Sequence, residues 1–132
     1  MAAVSESLLE RFEAVPALVE ADHHLLRRGR FLSTDCLIGI GDARYLLSIE
    51  HGRVVRCARG PFVMPSWRFA IRGAAEAWER HWEAMPPPHY HDVFALSKRG
   101  LLRFEGDLYP LMANIFYFKE LLAKPRRATG MR

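Results

Sequence analysis

The stretch Gly100-Leu101-Leu102-Arg103-Phe104-Glu105-Gly106-Asp107 decides how this chain is read. Leu102 and Phe104 alternate with Arg103 and Glu105, which gives one apolar and one charged face, the pattern of a half-buried strand. Gly106 permits a sharp exit from that strand. Asp107 can accept the first free amides of a helix. The following segment carries Leu108, Leu111, Met112, Ile115, Phe116, Tyr117, Phe118, Leu121 and Leu122, and Pro125 ends it. Pro110 falls in its first turn, where proline is tolerated. A surface helix needs one apolar stripe. Ile115-Phe116-Tyr117-Phe118 is apolar all round, so a helix from Leu108 to about Ala123 needs cover on more than one side. The sheet covers one side. The other is left to a lipid, a neighbouring helix or a second subunit.

Upstream, three strand patterns follow one another with short turns. Asp35 to Ile40 ends at Gly41-Asp42. Arg44 to Glu50 places Tyr45, Leu47 and Ile49 on one face and ends at His51-Gly52. Arg53 to Arg59 places Val54, Arg56 and Ala58 on one face, with Val55 and Cys57 on the other. Glycine in both turns supplies the positive φ of tight hairpins, so an antiparallel meander is expected. Trp67 to Arg72 alternates Trp67, Phe69 and Ile71 with Arg68, Ala70 and Arg72, as a fourth strand would. Gly73 breaks it, and Ala74 to Met85 reads as a helix with Trp78 and Trp82 on one stripe. Pro86-Pro87-Pro88 stops that helix. A short helix is expected within His89 to Arg99. At the start, Ser5 to Arg28 has helical spacing, but Pro16 makes it kinked or splits it into two shorter helices. The basic stretch 124–132 closes the chain.

Length and composition bound the function. A chain of 132 residues, half of them apolar, suits one folded domain. No apolar run approaches a membrane span, no basic-then-apolar leader is visible, and the cytoplasm is the expected compartment. Cys36 and Cys57 are read as reduced; they form no Cys-x-x-Cys and cannot make a zinc site alone. The net charge of +4 is concentrated in the stretch from Lys119 to Arg132, while the rest of the chain is balanced. That placement argues against a nucleic-acid-binding face. It leaves open a weak contact of the basic tail with an anionic membrane.

The octet also resembles the signature of sterol-carrier-protein-2 domains, which runs from a glycine through a Lys-Leu pair, a basic and an apolar residue to Gly-Asp. This chain departs from it at Leu101, where lysine is usual. The order of elements from Thr34 to Ala123 is similar too. The resemblance implies an α+β fold with a curved, mostly antiparallel five-stranded sheet, helices on one side and an apolar tunnel. It implies a carrier or accessory domain for fatty acyl chains, sterols or similar lipids, with no cofactor and no catalysis. The residues we expect to line the site are Trp78, Trp82, Phe94, Phe104, Leu111, Met112, Ile115, Phe116 and Phe118. Aromatic and thioether side chains suit the walls of apolar pockets, and suit a filled core equally well.

Other chemistries have weaker support. His89, His91 and Asp92 lie together, but a third ligand at metal spacing is missing, and His23 and His24 point apart on a helix. There is no Gly-x-Ser-x-Gly elbow, and Ser33, Ser48, Ser66 and Ser97 lack a local triad partner. Gly39-x-Gly41 lacks the third glycine of a phosphate cradle. Two functions remain in play: an apolar-ligand carrier, and an interaction module whose apolar helix docks on a twin or an enzyme.

Overall fold

The computed structural model describes residues 5–126. The chain opens with three short helices, α1 (Glu6–Glu13), α2 (Val15–Glu20) and α3 (His23–Arg28). One interruption was expected at Pro16; two form. Pro16 sits in the first turn of α2, where its missing N–H costs nothing, so the break falls before it, at Ala14. The second break falls at Ala21, and Asp22 restarts the chain by accepting from the Leu25 amide at 3.0 Å.

The meander follows as β1 (Ser33–Ile40), β2 (Ala43–Glu50) and β3 (Arg53–Arg59). A loop leads to β4 (Phe69–Gly73) and α4 (Ala75–His81). Then come α5 (Val93–Lys98), β5 (Leu102–Gly106), α6 (Tyr109–Ala113) and α7 (Ile115–Ala123). The strands form one sheet in the order β3-β2-β1-β4-β5. Only the β1–β4 pairing is parallel.

The register explains which side chains the helices cover. Ile38 stands opposite Tyr45 and beside Ile71, and Ile71 opposite Phe104. These residues face the helices, with Phe12, Trp78, Trp82 and Phe118 packed upon them. In β3 the simple alternation fails. The register slips between Ser48 and Ile49, so that Ile49 pairs with Val54 and Val55 is the extra residue. This bulge turns Val54 to the core side with Cys57 and leaves Val55 in water. Alternation alone had put Val54 on the face of Arg56 and Ala58.

The Gly-Asp turn is a clamp rather than a free exit. Gly106 has φ +88°, and a Cβ there would stand 2.6 Å from the Arg68 carbonyl oxygen. The Asp107 amide donates to that same oxygen at 2.8 Å, and the Asp107 carboxylate meets the Arg68 guanidinium at 2.7 Å. Asp107 also accepts from the Tyr109 amide at 3.1 Å, although the helix itself starts one residue beyond the expected position. The helix expected over 108–123 is divided at Asn114, whose side chain donates back to the Pro110 carbonyl at 2.9 Å.

Helix α4 joins the layers. Trp78 and Trp82 lie 5.1 Å apart, ring to ring, and both are fully buried. Trp78 Nε1 donates to the Gly39 carbonyl of β1 at 2.9 Å, and Trp82 Nε1 donates to the Leu122 carbonyl of α7 at 2.6 Å. Arg11 of α1 donates to the Trp82 carbonyl at 2.6 Å. At the other edge, Arg59 of β3 meets Glu6 at 2.8 Å and Glu13 in α1, and Glu13 bonds the Tyr45 hydroxyl.

Two substitutions test these contacts by urea denaturation. Trp82→Phe keeps most of the ring but leaves a buried Leu122 carbonyl unpaired, and should cost about 1–3 kcal/mol. Gly106→Ala meets both an unfavourable φ and the Arg68 carbonyl, and should cost roughly 2–4 kcal/mol.

Candidate functional site

A cleft of about 720 Å³ opens at one end of the sheet. Gly41 and Asp42 bound it where β1 turns, and Arg72 and Gly73 where β4 ends. Ala74, Ala75 and Ala77 of the α4 start form one wall; Gly100 and Leu101 form another before β5, and Tyr90 flanks them. The space exists because small residues surround it: Gly73-Ala74-Ala75 offers nothing larger than a methyl group. Leu101 is the one large aliphatic side chain in the lining.

The charges at the rim offset one another. Arg72 and Arg103 both bind Glu105, at 3.2 and 2.7 Å, and the hydrogen bond from Arg103 leads in holding that carboxyl below its ordinary range. Asp42 and Glu76 line the same cleft. The arginines are thus already paired, and an anion would have to displace Glu105. The cleft is suited to a ligand held by apolar contact, with at most a small polar head near the rim.

The segment carrying Tyr90 is positioned by His81. His81 Nδ1 lies 2.7 Å from the Tyr90 carbonyl oxygen, an acceptor, so Nδ1 carries the proton and donates. Arg126 Nη2, 3.1 Å from the same nitrogen, is then a neighbouring charge and not a donor to it. Arg126 instead donates to the carbonyls of His81 and His91, at 2.9 and 3.2 Å. His81 Nε2 is buried without a partner. Burial first, and the Arg126 and His91 charges, push the His81 pKa down to about 4, against the Tyr90 hydrogen bond and Asp92. The imidazole is a neutral strut.

The nine residues expected to line a site separate into two sets. Trp78, Trp82, Leu111 and Phe118 are almost wholly buried, within or against the aromatic centre of the core. Phe94 and Phe104 are half-buried and meet edge to face at 5.4 Å. Ile115 is half-buried, while Met112 and Phe116 are 48 % and 60 % exposed. Lys119 Nζ lies 5.6 Å from both the Phe94 and the Phe116 ring centres and ties that seam together. None of the nine lines the cleft. Sequence reasoning passed over Leu101, Tyr90 and the alanines. The available signals were the run of small residues before Trp78 and the exchange of lysine for leucine at Leu101.

The stretch 124–132 begins inside the fold. Lys124 bonds Asp22, and the Pro125 carbonyl accepts from Arg11 at 2.9 Å. Residues 127–132 lie outside the described part. Among the described residues no group of three His, Cys, Asp or Glu side chains is placed to hold a metal, and no helix is long and apolar enough to cross a membrane. Cys36 and Cys57 are free thiols, and burial raises the pKa of each.

Comparison with solved structures gives the fold its name. A crystal structure of sterol carrier protein 2 matches 91 % of this chain and 96 % of its own length, with a TM-score of 0.71 at 15 % identity. A conserved protein from Thermus thermophilus, described as a candidate sterol carrier protein, matches 98 % of this chain and 94 % of its own, with a TM-score of 0.66 at 11 % identity. A ubiquinone synthesis protein, UbiJ-SCP2, matches 89 % of each chain with a TM-score of 0.56 at 12 % identity. The chain has the sterol-carrier-protein-2 fold. No family model and no curated protein matches its sequence.

The neutral strut predicts a pH dependence. Unfolded His81 takes up a proton near pH 6.5, and folded His81 only near pH 4. The unfolded chain therefore binds more protons between those values, and stability is complete above 6.5 and falls as pH drops towards 4. The loss should reach about 2–3 kcal/mol in denaturation curves taken from neutral pH down to the onset of carboxylate titration. His81→Asn, whose amide can still donate to the Tyr90 carbonyl, should remove most of that slope.

Proposed function

We propose that this domain binds an apolar small molecule, a fatty acyl chain or a sterol-like lipid, as a cytoplasmic carrier or accessory domain. The observation that carries this reading is the cleft at the sheet end: concave, walled by alanines, Leu101 and Tyr90, and charge-balanced at its rim. Its volume falls within the range of ordinary ligand pockets, roughly 300–1,000 Å³. The structures of sterol carrier protein 2 and its candidate bacterial counterpart support the reading at the level of fold. Leu101, in place of the usual lysine, gives the cleft an apolar wall where the signature would put a charge.

The half-exposed seam of Phe94, Phe104, Met112, Ile115 and Phe116 is the second apolar surface available to a ligand. In this reading Trp78, Trp82, Leu111 and Phe118 act from behind, as the rigid floor under both surfaces. Each methylene removed from water contributes about 0.8 kcal/mol before ordering costs, so chain length governs affinity more than any polar contact.

One observation favours a different role. Tyr109, Met112 and Phe116 are 75 %, 48 % and 60 % exposed on α6 and α7, an apolar surface of the kind that docks on a second subunit or an enzyme. Light scattering on the purified chain separates the two roles, because docking on a second copy gives a lipid-free dimer that Phe116→Asp dissolves.

The ligand test is a thermal-shift panel of palmitate, cholesterol and ubiquinone, with native mass spectrometry for co-purified lipid. At least one compound should raise Tm by several degrees, as linkage requires when ligand is well above its Kd. Leu101→Trp, which narrows the cleft, should reduce the shift. Leu101→Lys should weaken it. Unchanged Tm across the panel, with no bound lipid, rejects the proposal.

A further inference from the structure

Residues 60–68 join β3 to β4 across the sheet face that carries no helix. Two aromatic side chains of this loop are held by arginines that point out from that face. The Arg44 guanidinium lies 6.0 Å from the Phe62 ring centre, and that of Arg72 lies 5.9 Å from the Trp67 ring centre. Arg44 and Arg72 flank Gly39 in one cross-strand row. Gly39 has no side chain, and the Arg72 stem uses that room: a Cβ on Gly39 would come 3.2 Å from Arg72 Cγ. Leu37 and Ala70, cross-strand neighbours on this face, are fully buried.

Between the two held aromatics the loop carries Val63 and Met64, 94 % and 93 % exposed. Single apolar residues in water are commonplace. Here two stand side by side at a tip between Pro61 and Pro65, and Met64 is held at φ +49°. A bulky side chain at positive φ is unfavourable unless its surroundings impose it. The sheet face beside the tip is positive on balance. Arg44 and Arg56 project from it with the exposed Asp35, which stands in the row of Ser48 and Arg56. Among the described residues neither of these arginines forms an ion pair, unlike Arg72 with Glu105 and Arg68 with Asp107.

An occupant must therefore be negative at its surface and apolar just beneath. An acidic protein patch meets the first requirement and gives Val63 and Met64 no apolar depth. A nucleic-acid backbone has the same shortcoming. An anionic phospholipid bilayer meets both. We propose that Val63 and Met64 insert between the headgroups of an anionic bilayer, with Arg44 and Arg56 on lipid phosphates and Phe62 and Trp67 at the interfacial level where aromatic rings gather. This face is separate from the α6–α7 surface. Docking here would set the domain against its lipid source, and that purpose alone rests on the lipid-binding reading.

The test is sedimentation of the full chain with vesicles of phosphatidylcholine alone and of phosphatidylcholine mixed with phosphatidylglycerol. The wild-type chain should bind the mixed vesicles, and binding should weaken at high salt. Val63→Asp with Met64→Asp should lower the partition coefficient at least about tenfold, and Arg44→Glu with Arg56→Glu should remove the preference for anionic lipid. Both tip residues are exposed, so Tm should be unchanged, and so should the response to the ligand panel; loss of the latter alone implicates the cleft. A second readout needs no variant. Trp78 and Trp82 are buried, so brominated phosphatidylcholine in the mixed vesicles should quench chiefly Trp67. The proposal is overturned if the wild-type chain binds no vesicles, if it binds neutral vesicles equally, if the tip variant still binds, or if the bound chain shows no quenching.

Discussion

Two indole N–H groups on one helix hold this molecule in register. Trp78 reaches the Gly39 carbonyl in the sheet, and Trp82 reaches the Leu122 carbonyl in the last helix. A buried carbonyl needs a donor, and each of these is answered by a side chain too large to be reoriented cheaply. Because the two tilted rings also pack against each other, 5.1 Å between centres, the distance from sheet to last helix is set by the width of two tryptophans. Helix α1 joins the same unit through Arg11 on the Trp82 carbonyl. The interior is thereby filled at its centre, and open space is displaced to the first turn of α4, where the side chains shrink to alanine.

That displacement separates what the sequence discloses from what it conceals. The five strands, the two hairpin turns and the Gly106-Asp107 turn are legible because each rests on local chemistry: alternation, positive φ, a carboxylate beside free amides; the hold of that turn on Arg68 is tertiary and is not. The breaks at Ala21 and Asn114 are not, since neither residue is a strong breaker; tertiary contacts, such as Lys124 on Asp22, compete there with local preference. The bulge at Val55 is hidden for a related reason. A single inserted residue alters only pairing, and pairing belongs to two strands at once.

The candidate site is the least legible part. The residues singled out as lining are the large apolar ones, and large apolar residues are those that fill space. A cleft is made by what is missing, so Ala74 and Ala75 give no positive signal. Leu101 did give one, as a departure from a signature that usually has lysine, but a departure states its meaning only when its neighbours are known. The same logic applies to the second sheet face. Val63 and Met64 read as ordinary loop residues until Phe62 and Trp67 are seen held by Arg44 and Arg72, and only then do they stand out as the part of that loop left in water.

The bulge has a consequence for the molecule in company. β3 is the outermost strand on its side of the sheet, where an even row of unpaired amides and carbonyls would template a second copy and then a third. The extra residue at Val55 puts that row out of step and twists it, while Arg53, Arg56 and Arg59 charge the strand. At the opposite margin β5 is five residues long and ends on Gly106. Neither border offers a regular length of backbone for another chain to continue. A mixed sheet of this size can therefore stay crowded among its own kind without growing into a fibre.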